Sequence, residues 1–176
     1  MHKITKSFEC DYGHRVHNQS LDEEYSLDNK CVCRHLHGHR MKVAISLQAD
    51  KLTNDMVTDF KHLNWFKRFI DDVIDHKFLV DINDPLFTTI TGYSKDQIKW
   101  VTHSGTLYGV FELDEATPIE NEFYESFVMV SFVPTSENLS KWFYNIAKAK
   151  MDKMGVSVHS VTFNETPKSE AVYDGV

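Results

Sequence analysis

The side chains best suited to chemistry are concentrated in the segment Cys33-Arg34-His35-Leu36-His37-Gly38-His39. His37 and His39 lie two positions apart where a strand pattern begins, so their side chains leave the same face of that strand. Gly38 between them removes bulk that would crowd a bound ion. Two imidazoles on one face can hold zinc, and a third ligand must then come from elsewhere.

His14 is the natural candidate for the third ligand, because it lies in register near the end of a neighbouring strand pattern. Three histidines leave the fourth position of a tetrahedral zinc open for water or substrate, which is a catalytic rather than a structural arrangement. Nickel and copper also suit imidazole ligands. The alternative is that these are surface histidines on a polar loop and a strand edge.

Cys33 lies four positions before His37, and a thiol beside a metal site could act as a base or a nucleophile. The alternative is an inert loop thiol. Cys31 competes for the same role, because nothing local indicates which of the two cysteines faces the site.

Asp75 and His76 end a helical pattern, and an adjacent carboxylate and imidazole could form a proton relay. The alternative is that His76 only complements the negative end of the helix dipole. From the pattern alone, Glu137 is a first-turn helix carboxylate and Glu165 is a solvated charge at the end of a strand.

Two strands are predicted to position the histidines. Residues 4–16 and residues 40–48 alternate apolar and polar side chains with the period of half-buried strands. The polar stretch 19–37 between them lacks a tight hairpin signal, which predicts a long loop.

Two helices are expected, one over 57–74 with apolar residues at spacings of three and four, and one that begins after Pro134 and ends at Gly155. Strands are predicted over 156–163 and 171–173, and further strands over 98–101, 106–113 and 127–133. The first two of these further strands read as a hairpin through His103-Ser104-Gly105. The order of elements predicts an α+β fold with antiparallel pairing.

Length and composition limit the classes of protein. The 176 residues predict a single domain, 1–176, and the net charge of −7 argues against partnership with nucleic acid or an acidic membrane surface. No apolar run reaches the roughly 18 residues of a membrane span, and the first residues do not resemble a signal peptide. Three cysteines cannot all pair within the chain, which favours a reducing compartment. We therefore expect a cytoplasmic protein.

Taken together, six segments resemble the 6-pyruvoyltetrahydropterin synthase and 6-carboxytetrahydropterin synthase family. They are Phe8 to Val16, Cys33 to His39, Asp59-Phe60, Asp75 to Leu79, Pro134 to Asn138, and Asn164-Glu165-Thr166.

The resemblance implies that His14, His37 and His39 bind zinc and that Cys33 is the general base. It implies that Asp75 and His76 form the proton relay. It also implies that Glu165 anchors the pterin ring, and that Glu137 with the Thr135-Ser136 backbone lines the same pocket.

The family fold is the tunnelling fold, a ββααββ unit with an antiparallel sheet and two helices on one face. It commonly assembles as a hexamer of two trimers with sites at subunit interfaces, so the resemblance implies a homo-oligomer. The substrate it implies is 7,8-dihydroneopterin triphosphate, which requires a basic pocket. The nearby basic candidates are Arg15, Arg34, Arg40 and Lys77.

The number of residues between the cysteine and His37 indicates which product is formed. Cys33 gives the three-residue gap of the carboxy branch, which releases acetaldehyde and forms 6-carboxy-5,6,7,8-tetrahydropterin for queuosine biosynthesis. Cys31 gives the five-residue gap of the pyruvoyl branch, which serves tetrahydrobiopterin. We prefer Cys33 and the carboxy branch, with a non-enzymatic pterin- or metal-binding homologue as a further alternative. A β-rich insertion at about 80–133 between the helices departs from the family pattern.

Overall fold

The computed structural model describes residues 1–103 and 106–176, and eight strands in this part of the chain form one sheet. The strands are β1 (His2–His14), β2 (His37–Ala49), β3 (Lys77–Asp81), β4 (Ile98–His103), β5 (Thr106–Phe111), β6 (Phe127–Val130), β7 (Ser157–Thr166) and β8 (Ser169–Tyr173). Their order across the sheet is β4-β5-β6-β3-β1-β2-β7-β8.

β1 and β2 form the longest antiparallel ladder. Their register runs from His2 opposite Ala49 to His14 opposite His37. The two predicted strands are confirmed, although β1 ends at His14 rather than Val16. β2 already begins at His37, so both histidines of the His-Gly-His segment belong to the strand itself.

β3 is the exception in a mostly antiparallel sheet, because it pairs in parallel with both β1 and β6. The register sets Tyr12 opposite Lys77, which brings the preceding Asp75 and His76 beside β1. The predicted α+β class with a large, mainly antiparallel sheet is confirmed.

The described part of the chain contains the α-helices α1 (Glu23–Ser26), α2 (Asn64–Phe69), α3 (Phe87–Thr91), α4 (Pro118–Tyr124) and α5 (Ser136–Met151). The helix expected over 57–74 is composite: a 3-10 turn over Phe60–Leu63 leads into α2, and a π-helical turn over Ile70–Ile74 follows. The prediction that it starts at Val57 is wrong, because the Asp59 side chain accepts the Lys61 N–H at 2.7 Å and caps the first turn. Phe60, placed on the apolar stripe, is 49% exposed.

α2 and α5 pack on the same face of the sheet, as expected. The Phe66 ring of α2 lies 5.2 Å from the Phe8 ring of β1 and 5.8 Å from the Phe143 ring of α5, measured between centroids. All three side chains are buried in one apolar core with the inward residues of β1, β2 and β7. The core includes Tyr12 of β1 and Met41 of β2, so it holds in place the strand ends that carry the histidines.

Residues 80–133 extend the same sheet. They contain α3, β4, β5, α4 and β6, and a second small core of Val80, Phe87, Phe127 and Met129 supports them. β4 and β5 pair antiparallel, which confirms the strands of the expected hairpin. Ser104 and Gly105 of its turn lie outside the described residues. α1, α3 and α4 are too short to give a clear periodic signal.

Candidate active site

Three histidines meet at one end of the β1–β2 ladder. His14 and His37 are directly opposed, and His39 follows two positions later on the same face. The ring centroids of His14 lie 4.5 Å from His37 and 5.3 Å from His39, and those of His37 and His39 lie 4.9 Å apart. The three imidazoles are therefore brought together as the alternating pattern predicts.

Glu165, near the end of β7, joins them. One potential ligand atom from each of His14, His37, His39 and Glu165 lies within 4.8 Å of the others, and His14 is fully buried. We call these four residues the His/Glu cluster. It could hold a metal ion, since imidazole and carboxylate groups are the ordinary ligands of divalent metals.

Backbone carbonyls orient two of the imidazoles. His14 Nδ1 lies 2.7 Å from the Pro134 carbonyl, and His37 Nδ1 lies 2.8 Å from the His35 carbonyl. Because a carbonyl only accepts, each Nδ1 carries the proton and each Nε2 presents its lone pair. This is the arrangement in which a second shell prepares histidines for a metal.

The free nitrogens face a carboxylate. His14 Nε2 lies 3.2 Å and His39 Nε2 lies 3.6 Å from Glu165 Oε1, yet neither buried nitrogen has a hydrogen bond of good geometry. Lone pairs and a carboxylate at such distances are stable only with a proton or a cation between them. The donor set therefore fits a metal ion.

The surroundings of Glu165 and His39 favour the protonation states in which these two side chains can bind a metal ion. When His14 Nε2 carries a proton in place of a metal, its hydrogen bond holds the pKa of Glu165 below its ordinary value, against burial, which raises it. Burial lowers the pKa of His39, although Glu165 opposes that effect. A charged carboxylate and a neutral imidazole are the states that bind a cation.

Gly38 has a different role from the one expected. The pleat directs it to the face opposite His37 and His39, and a Cβ at Gly38 would lie 2.8 Å from the carbonyl oxygen of Tyr12. The interpretation that Gly38 makes room for an ion is wrong. Its lack of a side chain lets β1 and β2 approach each other.

Cys33 lies in a 3-10 turn over Val32–Arg34 that leads into β2. Its N–H donates to Gln19 Oε1 at 2.9 Å, and its carbonyl accepts the Val16 N–H at 2.7 Å. Cys33 and Cys31 are both half-buried and unpaired. Among the described residues neither cysteine belongs to the His/Glu cluster.

Asp75 and His76 contact each other between the π-helical turn and β3, with His76 Nδ1 3.0 Å from Asp75 Oδ2. Asp75 Oδ1 accepts the Asp11 N–H, and the His76 N–H donates to the Asp11 carbonyl. His76 has a φ of 58°, a left-handed conformation that is uncommon for this residue. Its side chain is 79% exposed.

The segment that opens α5 reaches the His/Glu cluster through its backbone, at the Pro134 carbonyl. Thr135 caps the helix by accepting the Asn138 N–H, and the side chains of Thr135 and Ser136 are half-buried. Glu137 is exposed in the first turn. Sequence reasoning missed the Pro134 carbonyl, for which the sequence gives no signal.

A cavity of about 620 Å³ adjoins the His/Glu cluster. Besides His39 and Glu165, its lining includes Glu9, Arg40, Lys42 and Asn164. This volume suits a small molecule. Its wall carries two cations on the sheet face opposite the histidines, and one of them, Arg40, pairs with Glu9 at 3.5 Å and Asp11 at 3.6 Å. Of the other basic candidates, Arg15 is directed to Asp84 and Arg34 donates to the Gln19 carbonyl.

Within the described ranges, no helix has the length and apolar character needed to cross a membrane.

The 6-pyruvoyl tetrahydropterin synthase family matches residues 3–176. A 6-carboxy-5,6,7,8-tetrahydropterin synthase from Aquifex aeolicus is 32% identical over 184 residues, which cover 97% of this chain and 96% of the relative. That coverage includes nearly all of the 80–133 segment.

Solved structures agree with this assignment. An uncharacterised protein from Wolinella succinogenes is 46% identical, with a TM-score of 0.92 over 99% of this chain and 98% of that one. The 6-pyruvoyl tetrahydropterin synthase of Plasmodium vivax shares the fold, with a TM-score of 0.55 at 16% identity over 98% of each chain. The chain is an enzyme of the lyase class with the tunnelling fold, and it belongs to the 6-pyruvoyl tetrahydropterin synthase family.

Proposed function

We propose that this protein converts 7,8-dihydroneopterin triphosphate to 6-carboxy-5,6,7,8-tetrahydropterin, releasing triphosphate and acetaldehyde, in a route to queuosine. The His/Glu cluster, in which the buried Nε2 atoms of His14 and His39 lack a hydrogen-bond partner, is the observation that carries the reaction class. The name of the Aquifex aeolicus relative supports the choice of product.

Zinc is the metal we propose, held by His14, His37 and His39. When bound there, zinc supplies Lewis acidity to the side-chain oxygens of the substrate. The carbonyl contacts of His14 and His37 keep their Nε2 atoms available, and three ligands leave the open position that catalysis needs.

Glu165 is proposed to anchor the pterin ring rather than complete the metal site. A carboxylate can accept two hydrogen bonds from the guanidine-like edge of a pterin. The lowered pKa of Glu165 supports this role, because it keeps the group charged. The Thr135-Ser136 backbone and Glu137 do not line the cavity beside Glu165 and are proposed to bound the pterin site on the His14 side, where the preceding Pro134 carbonyl contacts that histidine. Arg40 and Lys42, at the cavity wall, offer positive charge to the triphosphate.

Cys33 is proposed as the general base that removes a proton from the substrate side chain. Its backbone is fixed on both sides by Val16 and Gln19, which suits a group that must be held in place. Asp75 and His76 are proposed as the relay, with Asp75 orienting the imidazole through the Nδ1 contact.

We propose a homo-oligomer, hexameric or otherwise trimer-based, on the basis of the family to which the chain belongs. A neighbouring copy of the chain would then cover the exposed His76. β4 and β8, the edge strands of the described sheet, offer unpaired backbone groups for such an assembly. We also propose that 1–176 is a single domain with the 80–133 segment as an insertion, because that segment extends the common sheet.

The test is incubation of zinc-loaded protein with 7,8-dihydroneopterin triphosphate, with products followed by mass spectrometry. Acetaldehyde with the carboxy product is expected. A pyruvoyl product would instead indicate the second branch and the Cys31 spacing. Tight pterin binding without turnover would indicate a non-enzymatic homologue.

A further inference from the structure

Two buried carboxylates, Asp81 at the end of β3 and Asp84 in the turn that follows, lie outside the His/Glu cluster. Asp81 and Asp84 are each only 3% exposed. His17 Nε2 forms a 3.0 Å hydrogen bond with Asp81 Oδ2, whereas Arg15 Nε lies 2.9 Å from Asp84 Oδ2 as an ion pair without hydrogen-bond geometry. Arg15 follows the metal-ligand candidate His14 directly in sequence and His17 lies three positions after it, so these contacts hold the chain where it leaves β1.

The turn that carries the two carboxylates is internally braced. Asp81 Oδ1 accepts the Asn83 N–H at 2.9 Å, and Asp84 Oδ1 accepts the Leu86 N–H at 2.8 Å. One oxygen of each carboxylate is thereby committed to the turn. The other oxygen of each is held facing the segment that follows His14.

The Asp81 and Asp84 pairs are buried, in contrast to the lysine–aspartate pairs along the helices. Lys67–Asp71 and Lys148–Asp152 have side chains that are about half exposed, and such surface pairs contribute little. A buried carboxylate that loses its partner is strongly destabilising. The contacts to Arg15 and His17 therefore define one geometry for this segment.

The same segment holds Cys33 from its backbone. Val16 donates its N–H to the Cys33 carbonyl, and Gln19 accepts the Cys33 N–H through Oε1. Arg34 donates to the Gln19 carbonyl as well. Residues 15–19 thus form a bridge, with the aspartate turn on one side and the thiol segment on the other.

We propose that Asp81 and Asp84 are positioning residues that, through Arg15 and His17, hold His14 and Cys33 in their working arrangement. This inference rests on the proposed roles of His14 and Cys33. Neither carboxylate belongs to the His/Glu cluster, so both act at a distance through the 15–19 bridge. The 80–133 insertion thereby begins with the turn that orders the site.

The first variants are Asp81→Asn and Asp84→Asn. The asparagine oxygen can still accept the backbone N–H of the turn, but the variant lacks the negative charge that faces residues 15–19. We expect zinc affinity, measured by competition with a chelating dye, to fall by about 3- to 10-fold, less than the roughly 10- to 100-fold loss on altering a direct second-shell partner. Leu47→Ala is the control: Leu47 is fully buried at the opposite end of β2, so the protein loses stability without a change at the site. Zinc affinity equal to that of Leu47→Ala would overturn the proposal.

A second readout does not require metal. In zinc-free protein, iodoacetamide labelling of Cys33 relative to Cys31, resolved by peptide mass spectrometry, is expected to change severalfold in the two aspartate variants and to stay unchanged in Leu47→Ala. If the wild-type protein binds no zinc, the proposed metal site fails while this labelling still tests the bridge. An unchanged labelling ratio would contradict the bridge.

A milder variant covers the case in which an aspartate variant does not fold. Arg15→Lys keeps the charge opposite Asp84 but lacks the planar guanidinium, so it is expected to show the same effects at reduced size. Wild-type zinc affinity and wild-type labelling in Arg15→Lys would count against the proposal.

Discussion

His14 and Pro134 lie 120 positions apart in sequence, yet His14 Nδ1 donates to the Pro134 carbonyl at 2.7 Å. This contact joins the end of β1 to the segment that opens α5. The strand supplies the imidazole, and the approach to the helix sets which of its nitrogens is free. Metal affinity should therefore depend on His14 strongly.

Replacing His14 by alanine is expected to abolish stoichiometric zinc binding, because one of three proposed ligands is lost. We expect affinity to fall on the order of 100-fold or more, beyond the range for second-shell changes. Metal content by mass spectrometry and chelator competition measure this. His62→Ala serves as the control, because His62 is exposed and outside the His/Glu cluster. Full zinc content in His14→Ala would refute the ligand assignment.

Glu165→Gln separates an anchor from a ligand. As a pterin anchor, Glu165 is expected to be dispensable for zinc content but needed for substrate. The amide of glutamine offers one acceptor oxygen and a donor NH2, so it cannot accept from both N–H groups of the pterin edge as a carboxylate does. Zinc content and pterin binding are measured on the same sample. Loss of zinc as complete as in His14→Ala would make Glu165 a metal ligand instead.

Cys33→Ala is expected to lower kcat by about 10²- to 10⁴-fold, the usual contribution of a positioned general base. Cys31→Ala is the matched variant and should retain turnover. The reverse pattern would move the base to Cys31 and favour the pyruvoyl branch.

Cys10 provides an internal reference for thiol chemistry. Burial raises the pKa of Cys10 to about 12, with Asp75 adding to the effect. At pH 8, iodoacetamide is expected to modify Cys31 and Cys33 while Cys10 stays unmodified, as read by peptide mass spectrometry. Rapid modification of Cys10 in folded protein would contradict its buried position.

Asp75 predicts a pH-dependent contribution to stability. Burial raises its pKa, but the Asp11 N–H and the His76 imidazole outweigh that effect and lower the pKa below its ordinary value. A carboxyl group whose pKa is lower in the folded state stabilises the protein above its unfolded pKa of about 4, and that stabilisation disappears as pH falls through the folded value.

Urea unfolding of metal-free wild type and Asp75→Asn tests this expectation between pH 3 and pH 7. The difference in free energy of unfolding should be largest at neutral pH and should shrink below about pH 4. A constant difference across the range would show that the Asp75 charge is not involved.

Much of the site's framework could be predicted from local patterns. Alternation in β1 and β2 indicated both strands, and the two-residue spacing of His37 and His39 put them on one face. The register that set His14 opposite His37 is a tertiary property, but apolar alternation on both strands constrained it. Glu165 shares a face with Val161 and Phe163, which is a usable signal for its direction, though not for its neighbours.

Other features depend on contacts between distant segments. The burial of Asp81 and Asp84 cannot be predicted from a short polar turn. Their partners, Arg15 and His17, come from the segment after β1, and His17 lies 64 positions before Asp81. The parallel pairing of β3 with β1 has no local signal either, since pattern alone does not give strand direction. The start of the first long helix was misplaced because the Asp59 cap competes with apolar periodicity.

The β1–β2 ladder also has an order of assembly built into it. Its residue pairs are closest along the chain at His14 and His37 and farthest apart at His2 and Ala49. The chain entropy lost on closing a loop grows with its length, by about 0.6 kcal/mol for each doubling. Starting the ladder at the end that carries the histidines therefore costs the least chain entropy. An ion captured there would hold the first residue pairs together while the remaining pairs form toward the other end.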